Sequence, residues 1–109
     1  MKNSLLFCLF LFCSVCIIGQ DKEAIDQVLD QWHKAAADAD FESYFGKMTP
    51  DAVFLGTDAT ENWQNQEFKD FSKPYFDKGK AWSFTAVERN IYLSENNDMA
   101  WFDELLIPK

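Results

Sequence analysis

From Trp82 to Ile107 the sequence holds two alternating segments around one polar turn, and no other feature limits the fold so strongly. In the first, Phe84, Ala86 and Tyr92 share one parity, while Val87, Ile91 and Leu93 share the other. Ser94-Glu-Asn-Asn-Asp98 reads as the turn, and Met99 to Ile107 as the returning strand. A two-stranded hairpin is marginal in water and cannot hide both of its faces. Other elements of the chain must therefore cover one of them.

The residues before the hairpin supply that cover. Ile25, Val28, Leu29, Trp32 and Ala36 fall on one face of a 3.6-residue period, which predicts a helix from Asp21 to Ala39. Asp21 and Glu23 suit the positive end of its dipole. Asp40 is a suitable N-cap for a short second helix, Phe41 to Phe45, closed off by Gly46 and Pro50. Ala52 to Leu55 predicts a short strand stopped by Gly56. The spacing of Phe68, Phe71 and Tyr75 predicts a third helix over Gln64 to Lys78, with Pro74 kinking or dividing it. Three helices segregated from an antiparallel sheet make an α+β fold. The last strand has an outer edge with no partner in the sequence, so the expectation is either a second chain on that edge or a reading frame truncated at its C-terminus.

Residues 1–19 are expected to lie outside the domain as a signal peptide. Lys2 opens a short basic start, Leu5 to Ile18 is apolar, and Gly19 is a small residue at the cleavage point. The run is short for a bilayer span. This predicts export to the periplasm or outside the cell, with no membrane association after cleavage. A lipid on Cys16 is the less favoured alternative, because Cys13-Ser14-Val15 departs from the usual small-residue pattern before a lipidated cysteine. All three cysteines lie in this segment, which leaves residues 20–109 without a disulfide or a cysteine metal site. The chain carries a formal net charge of −8, and loss of Lys2 makes the remainder more acidic. Such a surface argues against nucleic acid and against anionic membranes.

Three stretches carry a family likeness: Trp32-His-Lys-Ala-Ala-Ala-Asp-Ala-Asp40, Asp51-Ala-Val-Phe-Leu-Gly-Thr-Asp58 with Glu61 and Trp63, and Ala100-Trp-Phe-Asp-Glu104. Together they resemble the SnoaL-like branch of the nuclear transport factor 2 superfamily, over essentially all of residues 21–109. The resemblance implies a cone, in which a long curved antiparallel sheet wraps three helices and a pocket opens at the wide end. It also implies two further strands after the point where this sequence stops, and homodimers across the outer sheet face. The superfamily includes polyketide cyclases, ketosteroid isomerase, scytalone dehydratase and limonene epoxide hydrolase, but the chemistry is not carried over whole. Where the steroid isomerases place an oxyanion-donating tyrosine, this sequence has Trp32. Their basic aspartate falls near Gly56, with Asp58 about two residues later.

Aromatic residues make up 17% of the chain and must fill a core or line a pocket. His33 is the sole histidine, and so the one side chain whose ordinary pKa lies near neutrality. It is a candidate general base or simply a helix-edge residue bonded to a carboxylate. Asp58 is a second catalytic candidate, although Thr57 and Asp58 also suit a turn that bonds its own backbone. On the last strand Trp101 and Asp103 share one face, and Phe102 and Glu104 the other. One acid must point inward, with Arg89 and His33 as partners; Asp103 is slightly favoured as catalytic and Glu104 is held as ligand-binding. Tyr44, Trp63 and Trp101 complete the expected ligand-binding set, beside Trp82 and Phe84 as core or pocket residues. A lone histidine without cysteines suggests neither a metal nor a cofactor. The reading is an exported domain binding a small apolar organic molecule, with acid–base catalysis as an open extension. The alternative is a non-catalytic interaction or dimerisation module.

Overall fold

The structure, a computed structural model, describes residues 21–109, so the expected signal peptide lies outside the described residues. Helix α1 runs through residues 21–37. Its buried positions are Leu29, Ala35 and Ala36, with Trp32 packed against the core, whereas Val28 is exposed despite its place on the apolar stripe. The helix ends by turning Ala39 into the left-handed region at φ 55°. The Asp40 N–H then reaches back to the Ala35 carbonyl at 2.8 Å, and the Ala39 N–H to Ala36 at 3.0 Å. This is the Schellman arrangement, which satisfies carbonyls that the helix leaves orphaned. Asp40 has a second task as the N-cap of helix α2, Phe41–Phe45, where it accepts from the Ser43 N–H at 3.2 Å and the Ser43 hydroxyl at 2.7 Å. Those two bonds hold its carboxyl below the ordinary value of 3.8.

Strand β1 (Val53–Leu55) pairs antiparallel with β2 (Asn62–Gln64), and β2 runs straight into helix α3, Asn65–Asp77. Pro74 sits in the last turn of α3 and does not divide it. The helix closes on Gly79, whose φ of 71° repeats the ending of α1 with the residue that tolerates it best. Phe68, Ser72 and Phe76 are its inward face, at four-residue steps. Phe68 and Phe76 meet Tyr44 and Phe45 of α2 and Ala35 and Ala36 of α1 in one largely aromatic core.

Strands β3 (Phe84–Leu93) and β4 (Ala100–Pro108) form the long hairpin. The turn is held by Ser94, whose N–H donates to the Met99 carbonyl at 2.9 Å and whose hydroxyl accepts from the Met99 N–H at 3.0 Å. The register slips at Val87: Ala86 faces Leu106, while Glu88 faces Leu105. This bulge reverses the parity of β3, so Phe84 and Ala86 before it share a face with Arg89, Ile91 and Leu93 after it. A simple two-residue period places those residues on opposite faces, and the bulge is the physical reason it fails. The chain is thus an α+β domain with two separate two-stranded sheets, β1–β2 and β3–β4, among the described residues. Strand β2 is the element the sequence reading lacked.

Candidate functional site

Two sites emerge, one charged and one aromatic. The charged site joins α1 to the hairpin. In the register of β3 and β4, Arg89 stands opposite Glu104, which puts both on the face turned to α1. Glu104 Oε1 lies 2.9 Å from His33 Nε2, and its Oε2 accepts from Arg89 Nε at 3.0 Å. Arg89 Nη2 also lies 2.9 Å from Oε2, within ion-pair range but off the line of a hydrogen bond. The other end of the guanidinium reaches α1: Nη1 donates to the Asp26 carboxylate at 2.7 Å, to its carbonyl at 3.1 Å, and to Asp30 at 2.8 Å. The side chains of His33, Arg89 and Glu104 retain only 15%, 9% and 5% of their exposure, so this contact is largely dry. Burial alone would lower the Arg89 guanidinium, but the bonds to Asp26, Asp30 and Glu104 outweigh it and hold the group above its ordinary value. Asp26, Asp30 and His33 are spaced four and three residues apart on one helix face, a pattern that the apolar stripe had overshadowed.

The aromatic site is a pocket of about 440 Å³ between the β1–β2 hairpin, α3 and the start of β3. Phe54, Trp63, Phe68, Phe71, Trp82 and Phe84 supply its rings, with Leu55, Gly56, Thr57 and Glu61 completing the wall. The rings support one another. Phe54 stacks on Phe68 at 3.9 Å between centroids, Trp63 on Phe71 at 5.1 Å, and Phe68 on Trp82 at 5.9 Å. Trp82 meets Tyr44 edge-on, and Tyr44 stacks on Trp32. A continuous aromatic column therefore runs from the pocket down to the neighbour of His33. Tyr44 is fully buried within it, and burial pushes its phenol well above the ordinary value of 10.0.

The loop from Gly56 to Glu61 is both a turn and a wall. Asp58 accepts from the Thr60 N–H and the Thr60 hydroxyl, each at 2.9 Å, and those bonds hold its carboxyl below 3.8. Gly56 donates to the Glu61 carbonyl at 2.8 Å, closing the loop into the β1–β2 pair. A Cβ on Gly56 would come within 2.7 Å of the Glu61 Cβ and closer still to its carboxylate. Glycine is required here by the side chain folded over it rather than by a left-handed backbone.

Of the residues singled out from sequence, His33 and Glu104 are brought into contact, Trp63 lines the pocket, and Tyr44 lies beneath it. Asp58 is exposed in its turn. Asp103 and Trp101 sit on the opposite face of the hairpin from Glu104 and are exposed. There Asp103 accepts from Asn90 at 2.8 Å and from the Tyr92 hydroxyl at 3.2 Å, while Trp101 stacks on Tyr92 at 5.9 Å. No group of three His, Cys, Asp or Glu side chains placed to hold a metal ion occurs among the described residues.

A family model, that of the SnoaL-like domain, matches residues 25–108, which takes in both sites and every element up to β4 except the first turn of α1. The chain belongs to the SnoaL-like family. No curated protein and no solved structure matches it. This SnoaL-like domain therefore has to be read from its own geometry, and Phe71 and Glu61 are pocket residues that only the fold reveals. Phe71 lies three residues past Phe68 on α3, so helical spacing alone assigns it to the core.

Proposed function

We propose that this SnoaL-like domain binds a small, largely apolar organic molecule in the pocket between β1–β2 and α3. The observation that carries the reading is the pocket wall, in which six aromatic rings, five from β1, β2, α3 and β3 and Trp82 from the loop before β3, line a space of about 440 Å³. That volume and that apolar lining with few polar groups are those of ligand sites in general. The apolar segment from Leu5 to Ile18 supports an exported setting for the domain. Acid–base work by His33 ranks behind binding, because its Nε2 is already engaged by Glu104 and neither residue belongs to the pocket wall. The test is a titration of the tryptophan fluorescence with an apolar dye. A saturable change with one dye per chain, lost on Trp63→Ala, is expected; a change that never saturates would remove the reading.

A second reading concerns the outer face of the hairpin. Trp101, Leu105 and Ile107 on β4 and Val87 and Tyr92 on β3 are all exposed there. An apolar patch of this kind marks an interaction surface, and homodimerisation through it is proposed. Sedimentation of the wild type should show a concentration-dependent dimer that Trp101→Glu disperses. A monomer at every concentration would count against it.

A further inference from the structure

We propose that the pocket is selective for an organic ammonium ion, an inference that rests on the ligand-binding reading above. Among the described residues the pocket wall holds one ionisable side chain, Glu61, beside six aromatic rings, and no lysine, arginine or histidine. Glu61 makes no ion pair with any described residue; its Oε2 has only a long contact, 3.5 Å, from the Asp58 N–H. The largely buried carboxylate of Glu104 is paired, and so are some acids on the surface. Glu104 has Arg89 and His33, Asp38 has Lys34, and Asp77 has Lys73. The Glu61 side chain lies directly over Gly56, another residue of the pocket wall, and its backbone closes the loop.

A neutral apolar ligand entering this space would strip water from Glu61 and give nothing in return, which is unfavourable. A cationic head group answers both features at once. Its charge pairs with the carboxylate, and its alkyl substituents lie against the rings, whose negative faces attract cations. An anion is disfavoured by Glu61 and by the −8 net charge of the chain, which draws cations toward the surface instead. The ligand class is thus an amine or quaternary ammonium with an apolar body.

The full chain is titrated by calorimetry with choline and with its uncharged isostere, in which a tert-butyl group replaces trimethylammonium. The apolar dye is measured in parallel. Choline should bind about tenfold more tightly than the isostere, and the gap should narrow with added salt. Glu61→Gln should erase the preference for choline while the dye still binds saturably, one per chain, which shows that the pocket is still formed. Equal affinities in the wild type, or a preference that survives Glu61→Gln, would overturn the ammonium assignment and leave the pocket standing. If neither probe nor dye binds, the pocket reading itself fails. Should Glu61→Gln not fold, the wild-type comparison of the two probes decides alone.

Discussion

Replacing Arg89 with methionine is expected to destabilise the domain by about 3–5 kcal/mol, the usual effect of breaking a buried ion pair from one side. The guanidinium touches three carboxylates, but they do not count equally. Asp26 and Asp30 are at least half exposed and can return to water when Arg89 is lost, so their pairing contributes little. Glu104 cannot, because its side chain is 95% removed from solvent and would keep only His33. The cost therefore comes chiefly from one stranded carboxylate. For a domain of this size it corresponds to a fall in Tm of more than about 10 °C, readable by circular dichroism. The double variant Arg89→Met with Glu104→Leu should recover much of that loss, because no buried charge then remains unpaired. If Arg89→Met alone costs less than about 1 kcal/mol, the contact is in effect a surface pair and something else fastens the hairpin to α1.

This cluster also shows which parts of the fold were legible in the sequence. Arg89, on the neighbouring strand, and His33, the sole histidine, are the partners that the sequence offers an inward-facing acid on the last strand. Which acid it was depended on a register that spacing cannot supply. Adjacent strand residues point to opposite faces, so a slip of one residue exchanges Asp103 for Glu104. The pairing of Arg89 with Glu104 settles the matter, and the bulge at Val87 helps create it. Nothing in Ala86-Val87-Glu88 announces a bulge. Strand β2 was hidden for a different reason: Asn62-Trp-Gln64 is three residues long, mostly polar, and joined directly to α3. Its strand character comes from pairing with β1, a tertiary effect that local preference does not report. The pocket was the least legible part, since its wall is assembled from three separate stretches and core and pocket aromatics look alike until the helix faces are fixed.

Helix α3 allows those two roles to be separated by experiment. Phe76 is 4% exposed and sits among Phe41, Tyr44, Phe45 and Trp82, with ring centroids 5.4 to 6.2 Å away. It does not belong to the pocket wall. Phe76→Ala should cost about 3–5 kcal/mol, because it removes a buried ring from a core whose neighbours cannot collapse fully into the space. Phe71, five residues earlier, is 45% exposed and rests its ring against Trp63 at the pocket. Its replacement by alanine should cost roughly 1 kcal/mol or less, since half of its surface is already in water. The same change removes one wall of the pocket and should weaken dye binding roughly tenfold. Thermal melts and dye titrations on the two variants therefore predict a crossed result: Phe76→Ala loses stability and, where still folded, keeps its affinity, while Phe71→Ala loses affinity and keeps its stability. Two variants that lose both together would mean that the rings around Trp63 are ordinary core, and that the space between them is a packing defect rather than a binding site.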